Sequence, residues 1–210
     1  AKREKTESYH MKIGVLGGTF DTIHRGHLEI AEAARNRLGL AEVYFVPAAR
    51  TPLKESGTIL AAEHRVRMVS LAIADYPCFK LSTIEIDRPG PSYTVETIAE
   101  LRNKLGAENE LYFIIGWDIL AQLPLWKEPS RIIQMCHLVA VPRPGYSLPD
   151  RDALEAAIPG LSKRLIVLDE PKLDVSATEI RQRAKRGESI SHLVPEPVAE
   201  YIKKNGLYLR

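Results

Sequence analysis

Ile13-Gly14-Val15-Leu16-Gly17-Gly18-Thr19-Phe20-Asp21-Thr22-Ile23-His24-Arg25-Gly26-His27 is the stretch from which the rest of this 210-residue chain can be read. Ile13 to Leu16 is a short continuous apolar run, the pattern of a strand covered on both faces. Leu28-Glu29-Ile30-Ala31-Glu32-Ala33-Ala34, just beyond, has the composition of a helix. A glycine-rich turn and two histidines therefore stand where a strand hands over to a helix. Glycines let a backbone approach an anion closely, and the free N–H groups at a helix start point toward it. His24 and His27, three positions apart, share a face of a helical first turn. Two imidazoles there add hydrogen-bond donors, and charge when protonated, with no nucleophile such as Cys beside them.

Working outward, strand-like runs alternate with helix-like ones. Strands are expected at Lys12–Leu16, Glu42–Pro47, Phe79–Leu81, Leu111–Ile115, Leu138–Val141 and Leu165–Leu168. Helices are expected at Glu29–Leu38, closed by Gly39, at Ala61–Asp75, and at Val95–Leu105, closed by Gly106. This rhythm predicts an α/β fold, a Rossmann-like doubly wound parallel sheet with right-handed crossovers. From about Asp174 the pattern is that of a C-terminal helical part, with a strand-like run only at Leu207-Tyr208-Leu209. Residues 11–210 are read as one domain. Ala1 to His10 are polar without periodicity and are read as a fraying leader, with His10-Met11 as its junction to the native start. Pro-rich loops at Pro47–Gly57, Arg88–Ser92 and Pro142–Pro149 interrupt the pattern. The first two, with the segment after Ile115, follow strands and are where ligand contacts are expected.

Composition narrows the function classes. Hydrophobic residues make up 45% and charged residues 27%, ordinary for a globular protein. The net charge of +2 is too small to argue for nucleic acid or an anionic membrane as partner. No apolar run reaches the roughly 20 residues of a membrane span, and no signal peptide is visible, so the cytoplasm is the expected location. Cys78 and Cys136 have no C-x-x-C spacing and are read as core thiols, with no zinc site. Oligomeric state is left open.

A second constellation lies far down the chain, at Ser176-Ala177-Thr178-Glu179-Ile180-Arg181. Ser176 and Glu179 have capping-box spacing, so a helix should begin here. One reading makes Ser176 a cap and Arg181 a solvated side chain. The other makes this helix start a phosphate site, with the hydroxyls of Ser176 and Thr178 and the Arg181 guanidinium as donors.

The H-x-G-H of His24–His27 after G-G-T-F-D, with the later S-x-T-x-I-R, resembles the signature pair of the nucleotidylyltransferase superfamily. Further segments are similar to one of its families, bacterial nicotinate-nucleotide adenylyltransferase. These are Ser92-Tyr93-Thr94-Val95-Glu96-Thr97 preceded by Glu85 and Arg88, and Phe113-Ile114-Ile115-Gly116-Trp117-Asp118 followed by Leu120, Leu123 and Trp126-Lys127. His64-Arg65 with Met68, and Leu193-Val194-Pro195 through Tyr201-Ile202 to Leu207-Tyr208, complete the resemblance, which runs from Met11 to Tyr208.

The resemblance implies adenylyl transfer from ATP, accompanied by Mg²⁺, to nicotinate mononucleotide. It implies that His24, His27 and Arg181 are catalytic, and that Gly17, Gly18, Thr19, Phe20, Asp118, Ser176 and Thr178 join them in binding ATP. Thr19, Lys54, Tyr93, Thr94 and Trp126 would hold the mononucleotide, Trp126 by stacking on its pyridine ring. No carboxylate cluster suggests a dedicated metal cage, so no metal ligands are assigned. Three departures stand out: Thr22 replaces a usual proline and is expected to loosen the loop, Leu53 replaces a histidine, and Trp117 is bulkier than usual. Competing readings are a preference for the amide mononucleotide, a phosphopantetheine adenylyltransferase, a class I aminoacyl-tRNA synthetase and a nucleotide-binding regulator without catalysis. The chain lacks a lysine-rich second signature for the synthetases, and phosphopantetheine enzymes lack the S-Y-T and Trp segments.

Overall fold

A computed structural model describes residues 10–49, 59–172 and 174–209; the leader residues before His10, and Arg50 to Lys54 with Leu53 among them, lie outside the described residues. Six parallel strands form one sheet: β1 (Lys12–Gly18), β2 (Glu42–Pro47), β3 (Phe79–Leu81), β4 (Glu110–Gly116), β5 (His137–Val141) and β6 (Leu165–Val167), in the spatial order β3-β2-β1-β4-β5-β6. All six sit where the apolar runs placed them, with boundaries moved by at most two residues. The chain leaves β1 in one direction and returns to its other side at β4. That reversal opens a crevice over the carboxyl ends of β1 and β4, where doubly wound sheets bind ligands.

Helices cover both faces. The first is packed by α1 (Arg25–Leu38), α2 (Ala62–Ala72), α8 (Ala177–Lys185) and α9 (Glu196–Lys204), the second by α4 (Thr94–Leu105), α6 (Pro129–Met135) and α7 (Arg151–Ala157). Two further helices, α3 (Ile84–Asp87) and α5 (Trp117–Leu120), are four-residue turns, too short to show a helical period in sequence. Alternate residues of β1 serve the two cores: Leu16 belongs to the first, Ile13 and Val15 to the second. The first helix begins at Arg25, earlier than the apolar pattern implied, because His24 supplies an extended N-cap; it ends at Gly39, whose φ of 64° suits a glycine.

Three expectations need correction. Leu207–Leu209 is no strand: Leu207 and Tyr208 lie in a turn after α9, and Tyr208 has a φ of 66°, outside the extended region. Thr22 does not loosen its loop, being fully buried with its hydroxyl donating to the Ile23 carbonyl (3.3 Å) and the Met68 sulfur (3.2 Å). Cys136 is a core thiol as expected, whereas Cys78 is only half-buried. Among the described residues no helix is long and apolar enough to cross a membrane.

Gly14 shows how tightly β1 is enclosed, since a Cβ there would lie 2.9 Å from Leu40 Cδ1 and 3.1 Å from Val43 Cγ2. Gly14→Ala should therefore destabilise the fold by about 1–3 kcal/mol through overpacking; chemical denaturation checks this, and unchanged stability would show that the Leu40 and Val43 side chains yield freely.

Candidate functional site

The crevice begins with two glycines facing opposite ways. A side chain on Gly17 would lie 3.4 Å from the Phe113 ring, which belongs to the second face and meets Trp126 edge-on at 6.1 Å. A side chain on Gly18 would lie 3.3 Å from the ring of Phe20, which packs edge-on against His27 at 5.0 Å on the first face. The end of β1 thus lets an aromatic ring close onto the backbone from each side. Thr19 and buried Phe20 turn the chain, Phe20 at a φ of 50°.

His24 and His27 do come together on the first turn of α1. Their rings stack at 3.8 Å, and the His24 N–H donates to His27 Nδ1 at 3.2 Å in a capping-box arrangement. His24 is 4% exposed, and its Nδ1 is a buried atom without a sound hydrogen bond among the described residues. Burial, then the charge of Arg143, lowers its pKa from 6.5 to about 4. At neutral pH the ring is uncharged, so it offers one donor and one lone pair rather than a cation. Arg143, exposed on the loop after β5, is a site neighbour that the sequence reading passed over as part of a Pro-rich loop. Its side chain also flanks Gly116, at 3.8 Å from the position of a Cβ there.

The Ser176–Arg181 segment lies against this turn. A Cβ on Gly26 would come within 3.6 Å of Val175, and Arg181 donates through Nη1 to the Asp21 carbonyl and through Nη2 to Thr178 Oγ1 (3.2 Å). Arg181 is therefore half-buried and directed toward the β1 turn. The capping box is half formed: Ser176 Oγ accepts from the Glu179 N–H at 3.5 Å, but the Glu179 carboxylate pairs with Arg183 Nε at 3.0 Å.

On the second face, Asp118 follows β4 with its carboxylate folded over Gly116. Trp117, the bulky departure, packs with Tyr93 and Trp126 against the same core, and its Nε1 is buried without a partner among the described residues. Tyr93 caps α4 and Thr94 is its first residue. That turn is braced from below. Thr97 Oγ1 donates to the Glu85 carboxylate at 2.7 Å while receiving Arg88 Nη2 at 3.0 Å, and Ser92 Oγ accepts from the Ala49 N–H at 3.1 Å. So Glu85, Arg88, Ser92 and Thr97, quoted earlier only as a motif, act as a scaffold for Tyr93 and Thr94. Lys127 Nζ sits 4.4 Å over the Tyr93 ring and pairs with Glu96 at 2.6 Å.

Two residues that organise the site were quoted in the sequence only as members of motifs, with no role assigned. Arg65, 2% exposed, donates through Nη1 to the carbonyls of Thr19 and Ala48 (both 2.8 Å) and through Nε to that of Leu60 (2.9 Å). One guanidinium thus ties the ends of β1 and β2 to the start of α2. Asp21, 8% exposed, accepts from the Leu60 N–H at 3.3 Å and from the Tyr208 hydroxyl at 2.6 Å. The clue lay in the motif itself, where the G-G-T-F-D aspartate had no role assigned. Together these groups set two imidazoles, a guanidinium held at two points and two glycines around one crevice, donor groups of a kind that suits an anion.

A family model described as Cytidylyltransferase-like matches residues 15–183. A relative from Dehalococcoides mccartyi, named "Probable nicotinate-nucleotide adenylyltransferase", is 49% identical over 200 residues, covering 95% of this chain and 98% of the relative. One from Thermus thermophilus with the same name is 46% identical over 198 residues, covering 94% and 100%. Among solved structures, the Plasmodium falciparum nicotinic acid mononucleotide adenylyltransferase complexed with NaAD superimposes with a TM-score of 0.76 at 19% identity, covering 95% of this chain and 98% of that one. At that identity the likeness is one of fold.

The His24 shift sets a pH dependence. Between 6.5 and about 4 the unfolded chain takes up a proton at His24 that the folded chain refuses, so stability present above 6.5 is lost as the pH falls toward 4. His24→Asn, which keeps a capping side chain, should flatten the denaturation midpoint across that window; an unaltered slope would show that another group carries it.

Proposed function

The chain belongs to the nicotinate-nucleotide adenylyltransferase family, and on that premise we propose that it joins ATP to nicotinate mononucleotide, giving nicotinate adenine dinucleotide and pyrophosphate, a step of NAD biosynthesis. One observation carries the mechanism: the double-histidine turn and the Ser176–Arg181 turn meet, with Arg181 bonded to the carbonyl of Asp21 three residues before His24. A triphosphate laid across the start of α1 would find both.

An oxygen of the mononucleotide phosphate attacks the α-phosphorus of ATP in line. The bond from that phosphorus to the bridging oxygen breaks, and pyrophosphate leaves with the electron pair. The attacking phosphate monoester is already anionic near neutral pH, so neither a protein base nor a covalent intermediate is needed. Positioning and electrostatic stabilisation do the catalytic work. We assign His24, as a neutral donor, and His27 to the triphosphate and Arg181 to its β/γ end, steadied by Thr178. Ser176 adds a hydroxyl at the same helix start. Backbone groups of Gly17, Gly18, Thr19 and Phe20 approach the reacting phosphates, and Asp118 takes the adenylate side. The mononucleotide would lie on the second face, its ring against Trp126 and its carboxylate at the α4 start beside Tyr93 and Thr94, where N–H groups favour an anion. Thr19 and Lys54 would serve its phosphate. The donors here are imidazole, guanidinium and N–H, which suit anions rather than a hard cation, so Mg²⁺ would enter as part of the nucleotide, held by phosphate oxygens and water. We assign the reaction to the cytoplasm, where ATP is available, with small molecules as its partners.

Incubation with ATP, Mg²⁺ and each mononucleotide separately should yield the deamido dinucleotide from the acid substrate; product from the amide alone would overturn the assignment. His27→Ala should lower kcat by roughly 100- to 1000-fold in an intact fold, the effect of losing one preorganised donor; an unchanged kcat would remove His27 from the mechanism. Trp126→Ala should raise KM for the mononucleotide, and a change confined to ATP would contradict the ring assignment.

A further inference from the structure

We propose that Tyr208 is a positioning residue for adenylyl transfer, holding Arg181 in place through Asp21. The link is short. The Tyr208 hydroxyl donates to Asp21 Oδ1 at 2.6 Å across 187 residues of chain, and the Asp21 carbonyl receives Arg181 Nη1. Thr178 Oγ1 takes Nη2 at 3.2 Å, so the guanidinium is fixed at two points, one of which depends on where Asp21 sits.

Among the described residues the Asp21 side chain is supported by two hydrogen bonds and by the nearby charge of Arg65. Its carboxylate is buried, and among the described residues it is held by two hydrogen bonds, from Tyr208 and from the Leu60 N–H at 3.3 Å. It forms no ion pair there. A buried carboxylate oxygen that loses its donor is driven to reorient toward another or toward water, and reorientation moves the peptide unit that meets Arg181. Tyr208 is itself held in an unusual conformation. Its φ of 66° is one that a bulky residue adopts only when its surroundings impose it. The chain after α9 turns through Gly206, at a φ of 58°, and this conformation brings the phenol back to the β1 turn. Burial, then the hydrogen bond and charge of Asp21, raises the phenol pKa well above its ordinary value, so the group remains a donor throughout the working pH range. The same residue lines a cavity of about 770 Å³ with Arg181, Thr178, Gln182 and Lys185, which puts the far end of the chain beside the proposed pyrophosphate end of the site.

The proposal rests on the reading of Arg181 as the β/γ-phosphate group, and its test separates the two. Tyr208→Phe keeps the ring and removes the donor. It should lower kcat roughly 10- to 100-fold, the range expected when a catalytic group is displaced by about 1 Å, with KM for both substrates nearly unchanged. A structural role alone would lower the thermal midpoint and leave the kcat of the folded fraction intact. The decisive readout is a double-mutant cycle on kcat with Arg181→Lys. If Tyr208 acts through Arg181, adding Tyr208→Phe to Arg181→Lys should cost little more than Arg181→Lys alone; if the two losses multiply in full, the proposal fails. Asp21→Asn weakens the same link from its other end and should show the same non-additivity, which keeps the test readable if the Phe variant folds poorly. Should Arg181→Lys leave kcat untouched, the phosphate reading of Arg181 falls. Should it lower kcat while Tyr208→Phe does not, only the role of Tyr208 falls.

Discussion

The site depends on the end of β1 having no side chains. Gly17 and Gly18 sit at the point where the sheet reverses direction, and each lets a ring approach the backbone closely. Gly17 admits Phe113, which meets Trp126; Gly18 admits Phe20, which meets His27. Because successive strand residues point to opposite faces, a pair of glycines lets both faces close onto the same strand end. A Cβ at either position would press on an aromatic ring that itself packs against a proposed ligand-binding side chain.

Holding such a bare turn still requires support from elsewhere, and the protein supplies it with buried polar groups. Arg65 gathers three carbonyls, from β1, β2 and the start of α2. Asp21 gathers Leu60, Tyr208 and, through its carbonyl, Arg181. Leu60 is thereby held at both its N–H and its C=O. On the other face, the network of Glu85, Arg88 and Thr97 braces the α4 start in the same manner. Fully satisfied networks of this kind give rigidity where unsatisfied groups would be costly. Of the three buried side-chain atoms without a hydrogen-bond partner among the described residues, two, His24 Nδ1 and Trp117 Nε1, stand in residues that border the crevice.

Much of this was legible in the sequence because it is local. Continuous apolar runs located the six strands, Gly39 closed the first helix, and the spacing of His24 and His27 placed both rings on one turn. Other features were hidden for physical reasons. Leu207-Tyr208-Leu209 has strand composition, but it follows a glycine turn, and the hydrogen bond to Asp21 holds Tyr208 out of the extended region. Thr22 looked like a lost constraint because proline acts on its own backbone, whereas burial beneath Met68 constrains threonine from outside. The pairing of residues 21 and 208, or of Arg65 with Thr19, leaves no periodic trace. Such contacts exist only after the sheet brings distant segments together.

The central claim is that one triphosphate touches both the double-histidine turn and the Ser176–Arg181 turn. A crystal structure with a non-hydrolysable ATP analogue tests it most directly. Phosphate oxygens within hydrogen-bond reach of His24 or His27 and of Arg181 in the same molecule are predicted. A triphosphate that engages only one of these segments, or lies away from the carboxyl ends of β1 and β4, would contradict the account.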